Sequence, residues 1–454
     1  MRAITQYLKQ QGYSVPDDSF YTQIDRWFKW YRGKVPSFHT YRQYNGIRKL
    51  TRERKTLGMA KKMPEDWASL ELNEKVEIVI GNSRINKAVH EVLDANQFRV
   101  RGNQLLELAY ALGTGAFVEY KDNEAVKIDY IRAGMVYPLR WDNGAVIDCA
   151  FASERTVGKE KQVYLNIHRL EGGAYVIVNQ MFRRNGQALT PIDLPDGVQP
   201  VVRTGSDIPL FQIIKPNLVN SIDPDCPLGL SVFANAIDQL EGADLVYDSY
   251  INEFRLGKKR ITIPLTMAQM QQTEDGVIAP VFDDNDTEFF AVPASREGRE
   301  TIEEINMELR HEAHEAAIKT ALGLLSAKCG LGNDRYSFEH GNIKTATEVI
   351  SEKSELYQNL KKHELVLEKA LADMTRAIAS LMGMKIDFEV SVNFDDSIIE
   401  DTAALKQQFL QEIRDGVRQK WEYRVKFFGE DEKAAKSMIE QAPDDEETMF
   451  GGED

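Results

Sequence analysis

Residues 344–383 read KTATEVISEKSELYQNLKKHELVLEKALADMTRAIASLMG. Val349, Leu356, Leu360, Leu367, Leu371, Met374, Ile378 and Leu381 recur at steps of three, four or seven, which gathers them on one stripe of an α-helix. Thr345 and Glu348 fit a capping box, in which the Thr hydroxyl takes a first-turn N–H and the Glu reaches back to the cap. The pattern predicts one long helix over 345–383. Its stripe is more apolar than a two-helix unit buries alone, so packing against neighbouring copies of the chain is expected.

Upstream of that helix lies a Gly-containing loop, CGLGNDRYSFEHGN (329–342), and before it a helix read from about Thr301 to Leu325. Residues 257–300 form a compact section with β character at each end (ITIPL and EFFAVP) and an acidic turn, Asp283-Asp284-Asn285-Asp286. Another helix precedes it. Phe233, Ile237, Leu240, Tyr247, Ile251 and Phe254 keep helical spacing, Ser231 is placed to cap it, and Gly257 ends it.

The first 112 residues read as mostly helical. Trp27, Phe28, Trp30 and Tyr31 cluster before Gly33; Met59, Met63, Trp67 and Leu70 keep helical spacing, with Pro64 expected to break or restart the helix. A β-like EIVI (77–80) is followed by a helix predicted from Asn82 to Phe98, and QLLELAYAL closes at Gly113. From about 115 to 184 the period shortens to strands: AFVEY, AVKIDYI, MVYPLRW, AVIDCAF, QVYLNIHRL and AYVIVNQMF. Asn143-Gly144, Gly172-Gly173 and Asn185-Gly186 supply the positive φ angles of tight hairpins, so one antiparallel meander with one buried face is predicted. A Pro-containing connection follows, from Pro191 to Pro227, expected to drape over its neighbours. After the long helix come a strand in IDFEVSVNF and helices at about 398–416 and 433–441. Residues 442–454 are acidic, lack periodicity and are expected to be disordered. The fold class is α+β, with more than one folding unit in 454 residues.

Net charge is −15, which argues against simple wrapping of nucleic acid but suits a protein that DNA slides past, as it also suits an ordinary acidic enzyme. No apolar run reaches the ~20 residues of a membrane helix. The first residues lack an apolar signal core, so the chain is expected to remain in the cytoplasm where it is made. Cys149, Cys226 and Cys329 are far apart and read as reduced thiols.

Signals for chemistry are sparse. No GxxxxGK[ST] and no GxSxG occurs. Gly330-Leu331-Gly332 is a GxG outside any strand–turn–helix context and reads as loop. His311-Glu312-Ala313-His314-Glu315 spaces its histidines three apart, not four as in zinc-protease helices; it reads as a polar helix face. The acidic pairs Asp283-Asp284 and Asp395-Asp396 could hold Mg²⁺ in a nuclease or hydrolase, but acidic turns are common on such a chain. Lys258-Lys259-Arg260 follows a helix end, where cations favour the C-terminal dipole; DNA phosphate is the alternative partner. No cofactor or metal is expected.

The order helix, small insert, helix, Gly-rich loop and long helix resembles the portal proteins of long-tailed double-stranded DNA phages. KTATEVISEKSELYQNLKK (344–362) is similar to the opening of that family's long helix. WYRGKVPSFHTY (30–41) and LGMAKKMPEDWASLEL (57–72) are similar to its N-terminal pattern. The resemblance covers nearly the whole chain, and the order of the motifs is more specific than any one of them. It implies a wing at 1–230 that includes the β meander, stem helices at 231–256 and 301–325, and a small α/β clip at 257–300. It also implies a tunnel loop at 326–344, a long wing helix at 345–383, and a C-terminal strand with crown helices at 384–441.

As partners the resemblance implies a homo-oligomeric ring, expected to be dodecameric, the terminase motor, head-completion or adaptor proteins, scaffold or major capsid protein, and double-stranded DNA, with no membrane. The location implied is the portal vertex of the virion, after assembly in the host cytoplasm, and the role is not enzymatic. Another minor head or connector protein is the alternative within the phage head. Channel candidates are Glu304, Glu308, Glu312 and Glu315, expected to share a helical face, with Glu303 beside them. Lys258, Lys259, Arg260, Lys328 and Arg335 are expected as sparse grips on DNA, with Gly330, Gly332 and Gly341 freeing the loop to follow it. Asp283, Asp284 and Asp286 are expected to dock the terminase.

Overall fold

The computed structural model describes residues 2–44, 48–258, 260–264, 270–272, 278–280, 289–292, 303–336, 346–394, 402–428 and 431–440. The chain divides into two compact units, Met1–Phe394 and Asp395–Asp454.

The first unit opens with helices α1 (Arg2–Gln10), α2 (Asp18–Tyr31) and α3 (Pro36–His39), then a hairpin of strands β1 (Thr40–Tyr44) and β2 (Lys49–Glu53). Asp17 caps α2 by accepting the Ser19 N–H at 2.7 Å, and Phe20, Tyr21, Ile24, Trp27 and Trp30 form its buried face. Helix α4 (Met59–Glu71) runs unbroken through Pro64. A mid-helix proline costs ~3 kcal/mol. Met63 and Trp67 are completely buried on the same helix, at ~1.5–3 kcal/mol for each large side chain, so packing outweighs the proline.

Strand β3 (Glu77–Ile80) leads to α5 (Ser83–Ala95), whose cap Asn82 accepts the Arg84 and Ile85 N–H groups. The single helix predicted to Phe98 stops earlier, because Gln97 takes a left-handed φ of 52° and turns the chain into α6 (Phe98–Leu112). Helix α6 ends at Gly113, also left-handed. A Cβ at Gly113 or at Gly229 would overlap the other residue's carbonyl, so the chain crosses itself there only because both are glycine.

The predicted meander is two sheets. Strands β4 (Gly115–Asp122) and β5 (Ala125–Arg132) form a hairpin; a 3₁₀ turn at Ala133–Met135 then redirects the chain. Strands β6 (Val136–Asp142), β7 (Ala145–Val157), β8 (Glu160–Glu171), β9 (Ala174–Asn185) and β10 (Ala188–Ile192) make the antiparallel meander, and β11 (Val201–Arg203) adds to β9. Strand β12 (Phe211–Ile214) crosses back to pair with β4, Phe211 opposite Val118. Periodicity reports strands but not this long-range partner, which is why one sheet was expected.

After β12 the chain reaches α7 (Ile237–Leu256). This helix starts later than Ser231. The Ser231 hydroxyl instead accepts the Phe233 N–H at 3.3 Å in a tight turn, and a 3₁₀ turn fills Ala234–Ala236. The following section holds β13 (Arg260–Pro264), β14 (Met270–Gln272), β15 (Ile278–Pro280), β16 (Phe289–Val292) and β17 (Glu303–Ile305). Strand β13 pairs with β16 in parallel and with β17 antiparallel; β14 pairs with β15. Among the described residues of the insert, the regular structure is strand.

Helix α8 (His311–Lys328) follows, then α9 (Ala346–Leu381) and β18 (Val390–Asn393), which pairs antiparallel with β3. Thr345, the expected cap of α9, lies outside the described residues. Leu360, Leu367, Leu371, Met374 and Ile378 of the α9 stripe are buried within the single chain. Helix α9 packs on α4, α5, β4, β12 and β18, and Ala377 joins Ile177 and Leu210 in a core cluster. The stripe from Leu360 onward therefore serves the subunit's own core, not a neighbouring copy, because the β4–β12 pairing supplies an apolar surface that sequence reading did not foresee.

The second unit contains α10 (Thr402–Arg414), α11 (Lys420–Phe428) and α12 (Glu432–Glu440). Helix α11 was not foreseen. Tyr423 and Phe427 of α11 pack on Phe409 of α10, with ring centroids 6.3 and 5.2 Å away, and the Arg418 guanidinium lies 4.0 Å over the Phe409 ring. The expectation of disorder at 442–454 falls outside the described residues. No described helix is long and apolar enough to cross a membrane.

Candidate channel and docking surfaces

Helices α7 and α8 pack together with the strand section between them in sequence. Their contact closes at the end nearest that section. Arg310 grips Glu253 with both prongs of its guanidinium, Nε to Oε1 at 3.0 Å and Nη2 to Oε2 at 2.7 Å, and its backbone N–H adds a bond of 3.2 Å. The Arg310 side chain, then its backbone N–H, holds the Glu253 carboxyl down to about 2. His314 stands 3.5 Å from the same carboxylate and packs on Tyr250.

These contacts revise the acidic face. Glu303 and Glu304 lie on β17, with Glu304 opposite Ile261 of β13. Glu308 is in the irregular link between β17 and α8. The helix begins only at His311, because β17 is drawn into the sheet and Arg310 is tied to Glu253. Glu312 and Glu315, three residues apart and exposed, are therefore the two acids on α8 from the expected quartet. Glu312 occupies the first turn, where a negative charge suits the helix dipole.

The cations scatter. Lys258 is exposed. Arg260 donates from Nη2 to the Leu256 carbonyl at 3.0 Å, which is the helix-end role. Lys259 lies outside the described residues, as do Asp283, Asp284, Asp286, Asp395, Asp396 and Gly341. Lys328 is exposed in the last turn of α8. Arg335 is tethered, with Nη2 3.6 Å from Asp66 of α4.

The start of the loop after α8 is pinned, not free. Gly330 has φ +78°; its N–H reaches the Ala327 carbonyl and the Leu331 N–H reaches the Ser326 carbonyl, each at 3.0 Å. That is a Schellman cap, so Gly330 terminates a helix. Leu331 and Gly332 are buried. Trp67 Nε1–H donates to the Cys329 carbonyl at 3.3 Å, and Asn359 donates to the Gly330 carbonyl at 3.1 Å. The Tyr336 hydroxyl donates to Asp66 at 2.8 Å, and Lys62 reaches the same carboxylate at 2.7 Å. Burial and the nearby Asp66 charge push the Tyr336 hydroxyl well above its ordinary range. Gly330 and Gly332 are thus held in a helix end and a buried turn, where freedom to follow DNA was expected.

Asp66, Trp67 and Asn359 were missed as anchors. A polar residue on an otherwise apolar helix face, Asp66 beside Met63 and Trp67, was the signal available. Asp244 and Asp248, buried on α7, were missed likewise. Asp244 accepts the Leu57 N–H at 2.7 Å and the Thr56 hydroxyl at 3.1 Å, while Asp248 accepts the Lys55 N–H at 3.0 Å. The stretch that follows the β1–β2 hairpin is thus clamped to α7. Among the described residues, no group of three His, Cys, Asp or Glu side chains could hold a metal ion.

A family model described as phage portal protein, SPP1 Gp6-like, matches residues 16–165 and 207–447. No curated protein matches the chain.

Proposed function

The chain belongs to the phage portal protein family, SPP1 Gp6-like, and we propose that it assembles as a ring at one capsid vertex, through which double-stranded DNA is packaged and ejected. The family is structural rather than catalytic, and the role assigned here is that of a conduit. The observation that carries this reading is the family match across both halves of the chain, joined to the packed α7–α8 pair with its strand section between.

In this reading α7 and α8 are the stem, with α8 beginning at His311. The strands from Arg260 to Ile305 form the clip at one extremity of the subunit. The residues up to β12 form the wing, α9 crosses it, and α10–α12 belong to the crown. Ring formation needs no bound cofactor. Glu312 and Glu315 on α8, with Glu304 and Glu308 on its approach, give the lumen an acidic lining. Such a lining repels phosphate and prevents sticking, though salt screens it beyond ~8 Å. Lys258, Lys259 and Lys328 act as local grips, whereas Arg335 is committed to Asp66 and Arg260 to the Leu256 carbonyl.

The clip docks the terminase, with Asp283, Asp284 and Asp286 in the contact, and head-completion or adaptor proteins bind the finished vertex. Scaffold or major capsid protein holds the ring during assembly in the host cytoplasm. Native mass spectrometry of the purified chain tests the assembly: a closed ring near twelve copies is expected, and a monomer or dimer at all concentrations defeats the proposal. Exchanging Asp283, Asp284 and Asp286 for Ser should spare the ring and weaken terminase binding; unchanged binding removes the turn from that interface.

A further inference from the structure

Between Arg26 and Lys62 the chain carries twelve Lys or Arg residues and one acid, Glu53, although the whole chain is at −15. The centre of this stretch is the β1–β2 ribbon, which pairs with no further strand among the described residues. Arg42 stands opposite Thr51 and Tyr44 opposite Lys49. Arg42, Lys49 and Lys55 are exposed and form no ion pair among the described residues. Tyr44 is 64% exposed and is the one large apolar side chain that the described part of the ribbon presents to solvent.

The base of the ribbon is held firmly. Arg54 donates from Nη1 to the Phe38 carbonyl at 2.6 Å and lies 4.5 Å over the Phe38 ring and 4.8 Å over the Tyr41 ring. The Lys55 and Leu57 N–H groups are bound by Asp248 and Asp244. A lone two-stranded hairpin is marginal in water, so this anchorage is what presents the outer cations at a set place.

We propose that the β1–β2 ribbon grips the phosphate backbone of double-stranded DNA without reading its sequence. A protein partner would need an apolar centre to its interface, and the described residues of the ribbon offer none beyond Tyr44. Phosphates need only cations and hydrogen-bond donors, which Arg42, Lys49, Lys55, Thr51 and Tyr44 supply. A two-stranded ribbon also has the width that a DNA groove admits. The inference rests on the ribbon's own charge and geometry, so it stands or falls separately from the portal reading.

The test uses the full chain in its native assembly and a fluorescently labelled random-sequence duplex, with anisotropy measured from low to moderate salt. The triple variant Arg42→Gln, Lys49→Gln, Lys55→Gln should bind roughly tenfold more weakly or worse. Its log K against log salt slope should fall by about 3 for each ribbon engaged, near 0.9 per lost cation. Lys369→Gln, an exposed charge removed from α9, should change neither quantity. The swap Arg42→Lys, Lys49→Arg, Lys55→Arg, which keeps the charge, should retain binding. The proposal is overturned if the triple variant binds with the parent's affinity and slope, or if the charge-preserving swap loses binding as well. It is also overturned if the triple variant drops to a smaller assembly while still binding duplex as before, since the ribbon would then be a contact between subunits.

Discussion

His39 and Asp244 lie 205 positions apart in sequence, yet Nε2 of the imidazole stands 3.0 Å from a carboxylate oxygen of the aspartate, and both are buried. His39 Nδ1 accepts the Val35 N–H at 2.9 Å, so the proton sits on Nε2 and the neutral ring donates to Asp244. One carboxylate thereby joins the end of α3, the stretch after the hairpin and the middle of α7. Asp244→Ala strips an acceptor from His39, Thr56 and Leu57 together. It should cost about 3 kcal/mol in urea unfolding and speed tryptic cleavage within 48–55; Asp244→Asn should recover part of that loss.

The Glu253–Arg310 pair makes the stability of the α7–α8 contact depend on acid. The folded carboxyl titrates at about 2, below the ordinary 4.5, so its contribution is complete above pH 4.5 and is lost as pH falls through 2. Glu253→Gln should lower resistance to denaturant at pH 6 and leave it nearly unchanged at pH 2. An equal deficit at both values would show that the pair acts by shape alone.

Glu119 has the opposite sign. It is fully buried on β4, and burial pushes its pKa to about 8, with the Gln212 amide on the adjacent strand opposing the shift. The unfolded chain ionises near 4.5, so stability drains away as pH rises from 4.5 to 8. Glu119→Gln should stabilise by up to about 3 kcal/mol at pH 7, with no such gain below pH 4.5, as read by urea midpoints at both values.

Leu367→Asp with Leu371→Asp should abolish folding of the single chain, not merely its assembly. Both positions are buried within the subunit, and two unpaired buried charges exceed the ~5–15 kcal/mol of a typical domain. Far-ultraviolet dichroism and native mass decide it. A folded monomer that fails to associate would return the stripe to the interface.

Glu312→Lys with Glu315→Lys should leave the ring intact and slow DNA transit, most strongly at low salt, because new phosphate contacts carry salt-dependent affinity. Normal packaging rates across low and moderate salt would remove α8 from the lumen.

Much of the helix inventory was legible because helical periodicity is local. The α9 stripe, the aromatic face of α2 and the strands between Gly115 and Asn185 each announce themselves within a short window. So did the order of elements, which suffices to place the chain in its family. The placement of the acidic candidates was less legible. Glu304 and Glu308 keep helical spacing with Glu312, yet β17 takes the first into a sheet, since pairing with β13 is a contact across more than 40 residues.

Sequence by itself determined where apolar side chains fall and where turns bend, for those depend on neighbours three or four residues away and on the φ freedom of Gly and Asn. Tertiary structure alone decided what those faces meet. It brought β12 back to β4, turned the α9 stripe into a subunit core, and fixed Gly330 as a helix cap against Asn359 and Trp67. It also set Asp244 beneath His39 and Leu57. Each of these is a contact between segments far apart in the chain. Its free energy comes from burial and hydrogen bonding that exist only once both partners are in place, so no local window of residues records it.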